Sequence, residues 1–520
     1  NPVTSIEFYG SKLAFSTEVS STTYITVGPS TLSSDISVSN WRDYEGEYNS
    51  AGTRGITVLT DMADHLAYGN SLYSAGVNGL TAIDHNDSDA TLSMGAIINS
   101  DHNTGWMVGD IKLATLSDTD TTNNPELITN GTFAGGVTGW TTGGGSIVWN
   151  GSGDQTATVT SSGSGIWNGA TQTLTGLEVG KTYFLTADII TSNNWGSIGF
   201  SAGPGSANRY GSYTSWNGGS TFPMKAKAQF TAVSTSVTVT IDSLNTSNAT
   251  VTKVDNISVR IAAADHSYNN NGLQTLGTVT KTAVATGADL VGYSGFSTSN
   301  YLQQPYNSDL DFGTGDFSST WWFKSGGDNG TFQWLFERQA GELEAFVFSG
   351  TGILRVYVAG NAIETIQSVF TGIWHQLCFV RRSGVGFLYL DGQLKSSTAM
   401  TGDMSTTNSA PLTVGARNDG TLPSTGHSIA LLRISATAPS AEQIAKMYND
   451  EKHLFQTNAK ATLYGTSDAV TALAYDDDTE LLHVGTSAGR SVFQGLNRVD
   501  NTTDAVGAAI SASNGLVAED

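Results

Sequence analysis

Short segments in which apolar and polar residues alternate make up most of this chain, and Gly, Asn, Asp and Ser interrupt them. Segments of this kind are typical of half-buried β-strands that are separated by turns. Gly occurs 60 times among the 520 residues, well above the share of ~7% in an average protein. The sequence therefore predicts an all-β protein built from many short strands.

One stretch departs from this pattern and has the periodicity of a helix. Ser440 and Gln443 form a capping box, and Ile444, Met447 and Tyr448 follow at the spacing of one helix face. We expect a helix that begins at Ser440.

The charge balance excludes some classes of partner. The chain has 24 Lys and Arg against 46 Asp and Glu, a net charge of −22, and only 13% of its residues are charged. An acidic surface repels nucleic acid phosphates and anionic lipids, so neither is expected as a partner. No stretch approaches the ~18–20 consecutive apolar residues of a membrane-spanning helix, so membrane insertion is not expected. Cys378 is the only cysteine, which excludes an intrachain disulfide.

The length exceeds that of one domain and indicates roughly three. We divide the chain into four segments, which are 1–122, 124–262, 264–455 and 456–520. Because the chain begins at Asn1 without Met or a signal peptide, we expect a processed form or a piece of a longer protein.

The first and last segments share a pattern. In the first, Ile56 to Leu59 is followed by Leu66 to Gly69 and then by Gly79 and Asp84. The last segment repeats this pattern from Val470 to Asp500, with the same spacing between its Gly and Asp residues. Such a unit resembles one blade of a β-propeller, and a chance likeness of two hairpins is the alternative. We expect two jelly-roll sandwiches inserted in a propeller-like platform that the terminal segments form.

The ends of the second segment carry a family resemblance. Residues Glu126 to Trp140 and the closing run Val254 to Val259 resemble the ends of carbohydrate-binding-module jelly rolls of families four and nine, which have a galactose-binding-like fold. The resemblance implies a β-sandwich with Phe133 and Trp140 in its core.

The same resemblance implies a metal site. Many members of those families hold a structural calcium ion where the first and last strands meet, and Asn130 and Asp255 are the matching positions. The families often have an acidic residue after the Phe, where this chain has Ala134, and this departure weakens the expectation of calcium.

The third segment resembles the laminin G-like, concanavalin A-like sandwiches. The residues that carry this resemblance are the runs 301–305, 309–317, 320–323, 373–380, 386–392 and 411–415. Trp321 and Trp322 are adjacent on an expected strand, so one should point into the core and the other away from it.

The sequence runs on either side of the third segment show a further resemblance. The runs 105–112, 116–120 and 481–490, beside the laminin G-like segment, resemble tail proteins of tailed bacteriophages. This implies a virion tail fibre or receptor-binding protein that is extracellular, contacts other tail proteins and host-surface glycans, and forms a homotrimer.

Candidate sugar-binding residues lie in a loop-rich run of the second segment. Sugars are held by exposed aromatic faces together with amide and carboxylate hydrogen bonds. The candidates are Trp195, Arg209, Tyr210, Tyr213, Trp216 and Asn217. Core packing or contacts with a neighbouring subunit are the alternatives.

A second candidate calcium site lies in the third segment. Asp309 and Asp311 share one face of an expected strand, and Ca²⁺ prefers carboxylate oxygens. The alternative is a turn whose Asp side chains bond to their own backbone.

No active site is evident in the sequence. The nearest acidic pair, Glu342 and Glu344, has the spacing that places both side chains on one strand face, and an exposed edge strand is the alternative interpretation. We therefore expect a virion tail fibre that binds glycans and is not an enzyme. The alternatives are the polysaccharide-binding region of a secreted or surface bacterial protein, and a purely architectural virion or filament protein.

Overall fold

The computed structural model describes most of the chain from residue 110 onward and, before that residue, the backbone of nine strands. The stretches described after that point are 110–122, 124–161, 169–203, 208–243, 249–267, 271–405, 410–466, 470–476, 478–507 and 509–519. Strands dominate them, which confirms the all-β prediction. Within the described residues, no helix has the length and apolar character needed to cross a membrane.

The strands before residue 110 form three antiparallel sheets. The first contains Val3–Tyr9, Lys12–Thr17 and Thr26–Val27. The second pairs Val58–Leu59 with His65–Leu66. The third is a four-stranded meander of Ser71–Gly76, Gly79–Asp84, Met94–Ile98 and Asn103–Val108.

The second unit is a sandwich of two five-stranded antiparallel sheets. Sheet A contains, in spatial order, Thr141–Thr142, Ala170–Thr175, Ser236–Ser243, Gly196–Ser201 and Arg209–Trp216. Sheet B contains Ser146–Trp149, Ala157–Ser161, Thr250–Ile261, Thr182–Ser192 and Met224–Thr231.

The core of this sandwich follows from the alternation of side chains along its strands. Leu185 and Ile189 point into it and are fully buried. Phe133 and Trp140 precede the first strand and pack in the same core, with 5.9 Å between their ring centroids. The prediction for these two aromatic residues is confirmed.

The third unit is a larger sandwich. Sheet C has seven strands, which in spatial order are Gln274–Leu276, Tyr301–Gln304, Leu412–Val414, Gln333–Gln339, Leu343–Val347, Leu354–Val358 and Asn361–Glu364. Sheet D has eight strands, of which seven follow in the order Thr280–Ala283, Val291–Ser294, Ser428–Ser435, Phe317–Lys324, Trp374–Arg382, Val385–Leu390 and Gln393–Ala399.

The eighth strand of sheet D comes from the first segment of the sequence. Ile111–Thr115 pairs antiparallel with Ser428–Ser435. The buried carboxylate of Asp265, between the second and third units, accepts hydrogen bonds at 2.9 Å from the backbone N–H groups of Ala114 and Ser267. This contact ties the strand to the connection between the two sandwiches.

The two adjacent tryptophans point to opposite sides of sheet D. Trp321 lies in the sandwich core, where its ring meets the ring of Phe336 edge-on at 5.0 Å. Trp322 lies on the other face and stacks on Phe455 at 4.1 Å. The predicted alternation is confirmed.

The helix predicted from the capping box is present as Ala441–Glu451. The Ser440 side chain accepts a hydrogen bond from the Gln443 backbone N–H at 3.2 Å, and the Gln443 side chain accepts one from the Ser440 backbone N–H at 2.8 Å. A 3₁₀ helix, Lys452–Phe455, follows directly, and another occupies Ser308–Leu310.

The C-terminal segment forms a four-stranded antiparallel meander and a hairpin. The meander consists of Val470–Asp476, Leu481–Thr486, Gly489–Gln494 and Asn497–Asn501, and the hairpin of Ile510–Ser513 and Leu516–Glu519. Phe493 and Leu496 are fully buried in one apolar cluster with Leu454 of the third unit. The meander is therefore packed onto the sandwich of the third unit.

The two copies of the repeat pattern form different structures. The C-terminal copy is one meander, whereas in the N-terminal copy Val58–Leu59 and Gly79–Asp84 belong to separate sheets. Ile56, Thr57 and Gly69 of that copy lie outside the described residues. The described strands do not include a closed propeller, so the propeller-like platform stays a prediction.

Candidate functional site

Two of the six candidate sugar-binding residues present exposed rings. Trp195 is 53% exposed and Tyr213 is 47% exposed. Trp195 directly precedes a strand of sheet A, and its backbone carbonyl accepts a hydrogen bond from the Thr250 hydroxyl at 3.0 Å. Tyr213 lies on the edge strand of the same sheet. Both rings are accessible to a ligand.

Three further candidates have roles in packing or in a turn. Trp216 is 3% exposed and belongs to the sandwich core. Tyr210 packs partly buried against that core, with its ring 6.5 Å from Phe230. Asn217 follows the strand, and its side-chain oxygen accepts a hydrogen bond from the Gly219 backbone N–H at 2.8 Å. The structure therefore does not bring all six candidates into one surface.

The sixth candidate, Arg209, lies on the outer face of sheet A. Its guanidinium contacts Asp242 at 2.5 Å and donates a hydrogen bond to the Ser197 hydroxyl at 3.1 Å. It also lies 6.0 Å from the centroid of the Tyr213 ring. Burial raises the pKa of the Asp242 carboxyl, and the charge of Arg209 opposes that shift. Arg209 and Tyr213 thus form a polar and aromatic pair on this face.

The first pair of calcium candidates already has protein partners. The Asn130 side-chain amide donates a hydrogen bond to the Gly136 carbonyl at 2.7 Å. Asp255 accepts a hydrogen bond at 2.7 Å from the Asn256 backbone N–H, and burial followed by the nearby charge of Asp188 raises the pKa of its carboxyl. Ca²⁺ takes about 6–8 oxygen ligands, and this pair supplies few.

The second pair of calcium candidates lies in the third unit. Asp309 is part of the 3₁₀ helix Ser308–Leu310. Asp311 forms an ion pair with Arg338 and accepts a hydrogen bond from the Tyr306 hydroxyl at 2.7 Å. In the part of the chain that the structure describes, no group of three or more His, Cys, Asp or Glu side chains is placed to hold a metal ion. Calcium at these two positions stays a prediction.

A cluster of aromatic side chains lies on the face of sheet C that points away from the core. We call it the aromatic patch, and it consists of Phe332, Trp334, Phe346, Phe348 and Tyr357. Trp334 and Phe346 lie opposite each other on neighbouring strands, and their rings stack at 4.4 Å with 15° between the planes. Phe346 and Tyr357 stay nearly parallel at 6.0 Å. Strand register therefore produces a row of rings across three strands.

The aromatic patch has a buried base and an accessible rim. Trp334 and Phe346 are 8% and 5% exposed, whereas Phe332 is 42% exposed. Phe348 and Tyr357 are half-buried, and Phe332 meets Phe348 edge-on at 5.1 Å. The base holds the rim rings in position, and the rim offers aromatic surface to a ligand.

An arginine is held within the rim. The guanidinium of Arg355 lies 4.4 Å from the centroid of the Phe348 ring and 5.4 Å from that of Tyr357. Arg355 Nε donates a hydrogen bond to Glu364 Oε1 at 2.6 Å, and Arg355 Nη1 donates one to the Tyr357 hydroxyl at 3.3 Å. Because these contacts orient the side chain, little conformational entropy remains to be lost when a ligand binds. Aromatic rings beside oriented polar groups are the usual components of a sugar-binding surface.

Two carboxylates lie beneath the aromatic patch. Glu337 and Glu344 are opposite each other in the sheet register, and Glu344 accepts a hydrogen bond from Trp334 Nε1 at 3.1 Å. Burial raises the pKa of the Glu337 carboxyl, against the opposing effect of the Asn418 backbone N–H. The two side chains are buried, with Arg417 Nε 3.8 Å from Glu337. They support the patch from below and are closed to a ligand above it.

The edge-strand interpretation of Glu342 and Glu344 is wrong. Their strand, Leu343–Val347, lies inside sheet C between Gln333–Gln339 and Leu354–Val358. Glu344 is accordingly buried, while Glu342 is half-buried just before the strand begins.

The aromatic patch was missed by reasoning from the sequence, although a signal for it exists. Phe332 and Trp334 are two residues apart, as are Phe346 and Phe348. On a strand, this spacing places both rings of each pair on the same face. The register that joins the two pairs is a tertiary property and is visible only in the fold.

The comparison with protein-family models found a match within the third unit. Residues 296–445 match the Laminin G 3 model, described as the concanavalin A-like lectin/glucanases superfamily. The third unit has a concanavalin A-like lectin fold. Its two layers are sheets C and D, as the resemblance of the third segment implies. No curated protein matched the chain.

Several solved structures are similar to parts of the chain. The binding domain of Paraclostridial Mosquitocidal Protein 1 is 16% identical with a TM-score of 0.30, over 36% of this chain and 49% of that one. Domain 4 of AbnA, a GH43 extracellular arabinanase from Geobacillus stearothermophilus solved with arabinotriose, is 18% identical with a TM-score of 0.29, over 36% of this chain and 92% of that one. This chain spans about half the length of the first of these. The fold assignment rests on the family match and not on these structures.

Proposed function

We propose that this chain is a component of a virion tail fibre or tail tip that attaches to host-surface glycans without cleaving them. The lectin-like fold of the third unit supports the glycan part of this proposal. The observation that carries it is the aromatic patch, in which the exposed ring of Phe332 and the oriented guanidinium of Arg355 both contact the ring of Phe348. Trp195 and Tyr213 on the second unit provide additional exposed rings for the same purpose.

The mechanism of attachment is multivalent. One sugar contact with a shallow aromatic surface is weak, because a small area is buried and ordered water must be displaced. Linked copies raise the overall avidity by ~10²–10⁴ when their geometry allows simultaneous binding. A homotrimer in a tail fibre would supply these copies. The low share of charged residues, 13%, suits a contact that depends on stacking and hydrogen bonds.

The glycan part is tested by presenting the full chain to an array of bacterial surface polysaccharides. Phe332→Ala and Arg355→Ala are expected to weaken binding at least tenfold. Leu516→Ala is the matched control, because Leu516 is also an exposed apolar side chain, at 77% exposure, and lies in the C-terminal hairpin away from sheet C. Equal binding by Phe332→Ala and the wild type would refute the role of the patch.

The virion part needs a separate measurement. Gold-labelled antibodies against the chain are expected to mark the tails of phage particles in electron micrographs. Labelling of bacterial cell surfaces in the absence of phage would instead favour a secreted or surface bacterial protein. Sedimentation of the full chain tests the trimer, and a monomeric mass would contradict that part of the proposal.

A further inference from the structure

A cleft lies between the second and third units, on a different part of the surface from the aromatic patch. Its volume is about 340 Å³, within the range of ~300–1,000 Å³ that is usual for small-ligand pockets. Strands Thr182–Ser192 and Met224–Thr231 of sheet B form one wall, together with Gly211 and Ser212 of the edge strand of sheet A. The segment 304–307 and Asn271 of the third unit form the other. We call this space the interunit cleft.

The wall from the second unit combines a buried ring with neutral polar groups. Phe184 lies on the face of sheet B that points away from the sandwich core, and yet it is only 4% exposed. Gln229 is its direct neighbour in the strand register and is exposed. Thr182 and Thr231 follow, with 3.2 Å between their hydroxyl oxygens. This wall offers an apolar floor bordered by amide and hydroxyl groups.

The wall from the third unit contains polar atoms without partners. Gln304 is 2% exposed and donates a hydrogen bond from Nε2 to the Asn271 carbonyl at 2.7 Å. Its Oε1 is buried and accepts no hydrogen bond from the described residues, and Asn307 Nδ2 is likewise buried and donates none to them. Leaving buried polar atoms unpaired is unfavourable, so such atoms in a native structure call for a partner. Both atoms are closed off from the cleft, so the groups that a ligand reaches on this wall are the exposed ones, Pro305 and Tyr306.

The rim of the cleft holds a tyrosine in a defined orientation. Tyr306 is 41% exposed and lines the cleft. Its hydroxyl donates a hydrogen bond to Asp311 Oδ2 at 2.7 Å, and the Arg338 guanidinium lies 5.8 Å from its ring centroid. These contacts orient the ring before any ligand arrives and leave part of it open for stacking.

The lining as a whole indicates the chemistry of the ligand. None of the described residues that line the cleft is charged. Amides, hydroxyls and one accessible aromatic ring match a molecule with many hydroxyl groups, a C–H face and no charge. We propose that the interunit cleft binds a short neutral saccharide, held by both units at once. This site is separate from the patch, where the charged groups of Arg355 and Glu364 belong to the surface.

The test uses the full chain and saturation-transfer difference NMR. The probes are glucose, galactose, mannose, N-acetylglucosamine, maltose, cellobiose and lactose, each at millimolar concentration. At least one probe is expected to bind the wild type, and Tyr306→Ala and Gln229→Ala are each expected to weaken that binding at least tenfold. Phe332→Ala, at the patch, and Leu516→Ala are expected to leave it unchanged. Gln229 is an exposed side chain, so its variant remains informative if Tyr306→Ala folds poorly.

The outcomes separate this proposal from the proposed function. A saccharide signal that is lost in Phe332→Ala but kept in Tyr306→Ala and Gln229→Ala would overturn the cleft proposal and leave the patch proposal standing. The reverse result would support the cleft proposal, and the polysaccharide array would then test the patch by itself. No transfer to any of the seven probes would overturn the cleft proposal, whatever the result with bacterial polysaccharides.

Discussion

The ring of Trp334 stacks on the ring of Phe346 on the side of sheet C that faces away from the core, at 4.4 Å between centroids. The indole N–H of Trp334 also donates a hydrogen bond to Glu344, which is opposite Glu337 in the register. The stack and the hydrogen bond together anchor Trp334. This buried base is what keeps Phe332 and the other rim rings in a fixed arrangement.

The base of the patch should matter for stability as well as for binding. Trp334→Ala removes the stack and the indole donor to Glu344 Oε2, and we expect it to lower the free energy of unfolding by about 3–5 kcal/mol. Urea unfolding followed by circular dichroism measures this loss. The rim variant Phe332→Ala should cost less than about 1 kcal/mol, because Phe332 is 42% exposed and Trp334 only 8%. Equal losses for the two variants would contradict the division into base and rim.

The buried ion pair under the helix provides a second stability prediction. Glu451 accepts hydrogen bonds from Arg433 Nη2 at 2.8 Å, from Trp322 Nε1 at 2.6 Å and from Gln376 Nε2 at 3.3 Å. Glu451→Gln leaves the buried charge of Arg433 unpaired and should destabilise the protein by about 3–5 kcal/mol. Glu442→Gln on the exposed side of the same helix is the control and should stay within about 0.5 kcal/mol of the wild type. A small effect of Glu451→Gln in chemical denaturation would show that the network does not hold the helix.

Two histidines, the buried His427 and the partly buried His266, predict a loss of stability in acid. Burial lowers the pKa of His427 and of His266 from 6.5 to about 4 in each case. Because the unfolded chain binds these protons more readily, their contribution to stability is present above pH 6.5 and is lost as the pH falls toward 4. The loss approaches about 1.4 kcal/mol per unit of pKa shift for each group.

The measurement is a series of urea unfolding curves between pH 7 and pH 4.5. His427→Asn keeps an acceptor for the Gly326 backbone N–H, which donates to His427 Nδ1 at 3.0 Å, and removes the titration. The difference in stability between wild type and variant should shrink or reverse as the pH falls. A difference that is constant over this range would contradict the assigned pKa.

Calcium should have little influence on the fold. The oxygens of Asp311 are engaged by Arg338 and Tyr306, and Asn130 donates its amide to a backbone carbonyl. We therefore expect the same thermal unfolding midpoint in EDTA and in millimolar calcium. A rise of several degrees with calcium would show that one of the four candidate positions takes part in a metal site after all.

The sequence predicts the strands and the helix better than it predicts the residues of the binding site. The opposite orientation of Trp321 and Trp322 and the capping box at Ser440 are both predicted from the local spacing of residues. The structure contains both features. From the sequence alone, the run around Tyr210 and Trp216 is expected to be rich in loops. It is an edge strand, Arg209–Trp216, so alternation sends those two rings inward while Arg209 and Tyr213 face outward.

The aromatic patch and the interunit cleft depend on contacts that no local pattern encodes. The patch needs the register of three strands, and the cleft needs the placement of one sandwich against another. Local spacing sets which face of a strand a side chain occupies, whereas strand register and unit packing decide which faces meet.

The most direct test of the account is the binding of host-surface polysaccharide to the full chain, measured by biolayer interferometry on wild type, Phe332→Ala and Leu516→Ala. The account predicts saturable binding without shortening of the polysaccharide, at least a tenfold loss in Phe332→Ala, and no change in Leu516→Ala. Binding that is unaffected by Phe332→Ala, or polysaccharide chains that become shorter during incubation, would contradict it.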